Sequence, residues 1–147
     1  MIEIKTYIIE KLKVTKYYTL FPKSSDELKQ IIKDETSKNG INCSLNHIDV
    51  SEITDMSYMF YASIFNRDIS SWDVSNVENM EATFYYSVFN GDISNWDVSN
   101  VINMKFMFID SKFNGDISGW DVSHVNDMSF MFRNSPLQDN PPKWYKQ

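Results

Sequence analysis

A period of 24 residues runs through two thirds of the chain and fixes most of what it can become. Asp49-Val50-Ser51 recurs as Asp73-Val74-Ser75, Asp97-Val98-Ser99 and Asp121-Val122-Ser123. Met56, Met80, Met104 and Met128 keep the same step, as do Phe60, Phe84, Phe108 and Phe132, and Trp72, Trp96, Trp120 and Trp144. Residues 73–96 and 97–120 are identical at 16 of 24 positions. Four units (49–72, 73–96, 97–120 and a degenerate 121–144) follow a half-unit at 41–48, in which Leu45 and Ile48 take the Ile69 and Trp72 positions. Such regularity marks identical supersecondary units, none able to bury its apolar face alone, stacked so that each covers the next.

Within a unit the apolar positions run Ile69, Trp72, Val74, Val77, Met80, Phe84 and Phe89. The pattern Ile69-x-x-Trp72-x-Val74 predicts a short strand with Trp72 and Val74 inward and Asp73 outward. From Val77 to Phe84 the steps lengthen to three and four, which predicts a helical turn, with Ser75 or Asn76 as its N-cap. Asn90-Gly91 and Asn114-Gly115 predict the turn that brings the chain back. The expected fold class is an α/β solenoid: a short, capped leucine-rich-repeat array of about four coils, paired through parallel strands about 4.8 Å apart.

Both ends carry closing signals. Pro141 stands at the Ile69/Ile93/Ile117 position and is followed by Pro142, so strand pairing is expected to stop there. Trp144 and Tyr145 can fold over the last coil, leaving 145–147 as a tail. Residues 1–40 read as an α+β cap. Ser24-x-x-Glu27 is a capping box, Leu28, Ile31 and Ile32 give one apolar face, and Asn39-Gly40 ends a helix of about 25–38. Ile2/Ile4 and Val14 to Leu20 favour a hairpin, although Ile4, Ile8 and Leu12 also fit a helix.

Charge divides at the same boundary. Residues 1–40 carry a net +2 and residues 41–147 a net −8, within a total of −6 and a pI near 4.8. An acidic surface of this kind disfavours nucleic acid and anionic lipid as direct partners. One cysteine, Cys43, allows neither an internal disulfide nor a cysteine zinc site. Mean hydropathy is −0.40 and no apolar run reaches the roughly 18 residues of a membrane span.

The run Asn66-Arg67-Asp68-Ile69-Ser70-Ser71-Trp72-Asp73-Val74-Ser75-Asn76-Val77, with Met80 and Phe84, resembles the BspA-like leucine-rich repeat of bacterial surface proteins and mycoplasma lipoproteins. Pro22-Lys23-Ser24-Ser25-Asp26-Glu27-Leu28-Lys29, leading to Leu45-Asn46-His47-Ile48-Asp49, resembles the helical leader that precedes such arrays, so the likeness covers about 21–144. The resemblance implies a binding or adhesion module without catalytic activity.

Asp49, Asp73, Asp97 and Asp121 are candidates for an acidic column that receives Lys/Arg from a partner. The competing reading is that each caps its own turn. His47, Ser71 and Asn95 flank them between repeats. Tyr61, Tyr85, Tyr86 and Phe106 vary from unit to unit, and aromatic residues are enriched at interfaces. Cys43 and His47 have no acid–base partner in the sequence, so no catalytic residue is assigned. No cofactor is expected. The nine-residue Gly/Asp calcium repeat is absent, so no metal is expected either.

The function these features predict is a non-catalytic protein–protein binding module that contacts a basic protein surface. One form would be a small intracellular inhibitor of the anti-defence type. The alternative is a minimal bacterial surface or adhesion repeat protein. Charges at residues 3 and 5, where a signal peptide is apolar, point to a cytoplasmic location, or to the cell surface if the chain is part of a larger protein. Exposed end coils leave homo-oligomers open.

Overall fold

A computed structural model describes residues 5–9 and 14–146, with the backbone alone for 5–9 and 14–17. Strands β1 (Lys5–Ile9) and β2 (Val14–Tyr18) pair antiparallel, Lys5 opposite Tyr18 and Ile9 opposite Val14. The Ile2, Ile4 and Leu12 expectations and Gln147 of the tail lie outside the described residues. The chain then adds Leu20 as a single parallel bridge to Ile48 and enters α1 (Ser25–Asn39). Ser24 caps α1 by accepting from the Glu27 amide at 3.2 Å. The Glu27 carboxylate reaches back to the Lys23 amide at 2.6 Å, one residue earlier than in a standard capping box. Asp26 and Glu27 in the first turn and Lys38 in the last suit the helix dipole, and Gly40 leaves the helix with φ 78°.

Leu28 and Ile32 of α1 pack into one core with Leu45, Ile48, Val50, Met56 and the interior of all four units. Polar ties hold the helix across the first unit. The Ser25 hydroxyl donates to the Asp55 carbonyl, Lys23 pairs with Glu52 at 2.5 Å, and Glu35 meets His47 at 3.1 Å.

The α/β solenoid of leucine-rich-repeat coils is not what forms. Among the described residues α1 is the sole helix, β1 and β2 are the named strands, and the repeats contain neither. Where a strand was expected, Trp72 donates its amide to the Ile69 carbonyl at 3.1 Å and Val77 donates to Val74 at 2.9 Å, closing two tight turns. Where a helix was expected, the chain runs through three more turns: Met80–Thr83, Ala82–Tyr85 and Phe84–Ser87. Ala82 (φ 52°) and Tyr86 (φ 59°) occupy the left-handed third positions of two of them. That conformation aims the amides of Met80, Ala82, Phe84 and Tyr86 out of the unit instead of back along a helix. They donate to Asn103, Lys105, Met107 and Ile109 of the next unit at 2.8–2.9 Å. There is accordingly no helix for Ser75 or Asn76 to cap; Asn76 Nδ2 instead donates to the Ser51 carbonyl of the preceding unit at 2.7 Å.

Units therefore join through the 79–86 segment, on the side assigned to a helix, and parallel pairing shrinks to single bridges at Asp55, Asn79, Asn103 and Asp127. Side chains stack in columns 24 residues apart. The rings of Phe60, Phe84, Phe108 and Phe132 lie 5.4–5.8 Å apart, and Trp72 stacks on Trp96, as Trp120 does on Trp144, at 6.5 Å. Each indole also donates to a carbonyl of the preceding unit, Trp96 to Ile69 and Trp120 to Ile93, so a large ring is buried with its one polar atom satisfied.

The Asn-Gly pairs do not make the predicted turn. Gly91 and Gly115 have no positive φ; a Cβ on Gly115 would stand 2.7 Å from the Phe113 ring. Glycine is there so that the backbone can lie against a buried phenylalanine. Pro141 likewise sits away from the ladder, which ends instead at Asn134, whose amide is taken by Gln138 Oε1 at 2.7 Å.

Candidate functional site

Two surfaces arise from this arrangement. The first is a series of Asp-x-Ser turns. Oδ1 of Asp49, Asp73 and Asp97 accepts both the amide and the hydroxyl of the serine two residues on, at 2.6–3.1 Å, and Asp121 accepts the Ser123 amide at 3.0 Å. Asp68 and Asp92 do the same with Ser70 and Ser94, and Asp116 with the Ser118 amide. Each carboxylate is thus fixed in direction by its own turn, while Oδ2 of Asp73, Asp97 and Asp121 makes no hydrogen bond among the described residues. Asp49 is buried; Asp73, Asp97 and Asp121 are exposed.

Serine hydroxyls and amides hold Asp68, Asp92, Asp97, Asp121 and Asp127 below the ordinary carboxylate value of 3.8. For Asp116 the Ser118 amide acts first and the hydroxyl second. Opposing this, Asp121 raises Asp97 and Asp68 raises Asp92, the mark of like charges stacked one unit apart. Folded values below the unfolded ones mean stability that is complete above about pH 4 and lost as pH falls through the folded values. Thermal melts between pH 7 and 2 should show the midpoint falling below pH 3.8. Asp97→Asn, which keeps an acceptor for Ser99 without the charge, should make that fall shallower.

Ser71 and Asn95 are exposed beside these turns, and the Ser71 amide donates to Asn46 Oδ1 at 3.1 Å. His47 is drawn away toward α1 by Glu35. Cys43 lies against the Glu35 carbonyl at 3.8 Å, and burial pushes its thiol pKa up, the opposite of what an activated nucleophile needs. Among the described residues no three His, Cys, Asp or Glu side chains stand together as metal ligands. No helix among them is long and apolar enough to cross a membrane.

The second surface is the ladder segment itself. Tyr61 contacts Tyr58 at 6.0 Å and Tyr85 at 5.4 Å, and Tyr85 contacts Tyr86 at 6.5 Å. Tyr85 and Phe106 line a cavity of about 360 Å³ with Ile109, Asp110, Arg133 and Asn134. Phe106 stacks on Phe130 at 6.0 Å, with Lys105 over the Phe106 ring at 4.7 Å. The turns therefore bring the four predicted aromatics onto one strip. They also add Tyr58 and Phe130, whose signal was present in the sequence: they share the variable column of Ala82 and Phe106.

No curated protein and no solved structure matches the chain. The family model described as Mycoplasma protein of unknown function, DUF285, matches residues 13–144, a range that takes in β2, α1 and the stack through its last tryptophan, and the chain belongs to that family.

Proposed function

We propose that the stack is a non-catalytic protein-binding module whose Asp-x-Ser turns contact a basic protein surface. The observation that carries this reading is the fixed orientation of Asp73, Asp97 and Asp121: one oxygen is tied to the turn and the other carries no hydrogen bond among the described residues. Carboxylates held in place lose little side-chain freedom on meeting Lys or Arg, which favours binding at a given charge. The net charge of −10 between Asp49 and Phe132 adds long-range attraction. Such a surface suits an inhibitor that occupies a basic groove on its target. The family match favours a surface repeat protein as the second reading, in which the same turns would meet a partner outside the cell.

The test is capture of a basic protein by the tagged chain after nuclease treatment, with its loss at about 0.5 M salt. Asp73→Asn/Asp97→Asn/Asp121→Asn keeps every cap acceptor and removes three charges. It should weaken the captured complex by about tenfold or more, mostly through slower association. Unchanged affinity would reduce the aspartates to turn caps.

A further inference from the structure

The two ends of the stack differ in a way that side chains alone do not show. In each inner unit four amides point toward the following unit and four carbonyls point back: Met80, Ala82, Phe84 and Tyr86 donate forward, while Asn79, Glu81, Thr83 and Tyr85 accept from behind. At the last unit the corresponding amides of Met128, Phe130 and Phe132 donate to nothing among the described residues, and that of Asn134 is taken by Gln138. At the first unit the carbonyls of Ser57, Met59 and Tyr61 accept nothing among the described residues, and that of Asp55 takes the Ser25 hydroxyl. Over this alternating segment one end is an edge of donors and the other an edge of acceptors; beside it each junction also carries bonds in the reverse sense, as from the Glu78 amide to Thr54 and from the Val88 amide to Ser63.

An ordinary strand edge presents an amide and a carbonyl on the same residue. Laid on the donor edge, such a strand would leave its own amides facing amides. The complement is an edge that offers carbonyls alone at every second residue, and this chain carries one at its opposite end. We propose that the donor edge of one chain docks on the acceptor edge of a second copy, head to tail, repeating the junction that its units already make three times internally.

The internal register sets the pairs. Phe130 donates to Ser57 and Phe132 to Met59, all groups without a hydrogen bond among the described residues. Met128 donates to Asp55, whose carbonyl has a second lone pair beside the Ser25 bond. Asn134 reaches Tyr61 only when Gln138 moves aside. Phe130 and Tyr58, 56% and 46% exposed, come together as Phe106 and Phe130 already do. A groove of about 710 Å³ beside Met128, Phe130, Arg133, Gln138 and Tyr145 gives the incoming segment room. The contact is heterologous and open-ended, so it builds chains of copies instead of closed dimers. Gln138 and Ser25 each occupy one group of an edge, which restrains the assembly.

Sedimentation velocity of the full chain over a wide concentration range tests this, with Ser57 and Ser129 as probes. They share the column in which Glu81 and Lys105 alternate; the Ser57 side chain carries no hydrogen bond among the described residues, and the Ser129 hydroxyl serves only the Asp127 carboxylate of its own turn. Weight-average mass should climb past the dimer with concentration. Ser57→Lys/Ser129→Lys should weaken association about fourfold or more by placing like charges across the junction. Ser57→Glu/Ser129→Lys should restore it, and Gln138→Ala should strengthen it. Near-UV tryptophan dichroism confirms that each variant is folded. A chain that stays monomeric throughout, Gln138→Ala included, overturns the proposal. Association indifferent to both charge pairs overturns it equally.

Discussion

Phe84→Ala is expected to cost about 3–5 kcal/mol of unfolding free energy, the range for truncating a fully buried phenylalanine. Phe84 is 0% exposed and is enclosed by Phe60 at 5.4 Å, Phe89 at 4.6 Å, Phe108 at 5.5 Å and Trp96 at 6.2 Å. Those rings are held by their own neighbours above and below, so they cannot collapse into the space. The loss is a large part of the 5–15 kcal/mol typical of a domain. At about 2–4 °C per kcal/mol, the thermal midpoint should drop by roughly 10 °C. Urea titration gives the free-energy change directly. A loss under about 1 kcal/mol would mean that the column is not packed as described.

The second large effect falls on an exposed residue. Tyr86 is 64% exposed, yet its backbone has φ 59° and its amide donates to the Ile109 carbonyl at 2.8 Å. Tyr86→Pro forbids both, since the ring locks φ near −65° and removes the donor, and should destabilise by about 3 kcal/mol or more. Tyr86→Gly should be neutral or stabilising, because glycine enters the left-handed region without the cost of about 1–2 kcal/mol borne by other residues. A helix at this position would reverse the second result, with glycine costing about 1 kcal/mol. Urea titration of the two variants separates the possibilities.

These two residues show what the sequence made legible and what it hid. Phe84 announces itself: a phenylalanine every 24 residues has one place to go in a stacked array, and the tryptophan column follows from the same reasoning. Ser24-x-x-Glu27 placed the start of α1 because the capping chemistry is local. The interior of the unit was misread for a physical reason. Val77, Met80 and Phe84 are spaced as on a helix, but consecutive turns also return every third or fourth side chain to the core. The residues that break the helix, Ala82 and Tyr86, carry no glycine or asparagine to declare a positive φ. Their equivalents, Tyr58, Ala62, Phe106, Asp110, Phe130 and Asn134, are almost all different from one another. The left-handed conformation is imposed by the ladder between units and not by local preference.

The same distinction applies to the surfaces. Asp73-x-Ser75 was readable as either cap or contact, because one carboxylate has oxygens for both. The donor edge at Met128, Phe130 and Phe132 is made of backbone amides and leaves no side-chain signature at all. The family match supports the mycoplasma-type, BspA-like repeat grouping at a coarse level, while the leucine-rich coil that the resemblance implied gives way to turns.

Units are joined by amides aimed along the stack, and residue-resolved amide hydrogen exchange in dilute solution is the decisive test. Met80, Ala82, Phe84 and Tyr86 should exchange slowly, at rates near those of global unfolding. Their counterparts Met128, Phe130 and Phe132, identical in position but without a following unit, should exchange orders of magnitude faster. Equal protection of both sets would rule out a ladder between units, because it would place their partners within each unit, as in a helix.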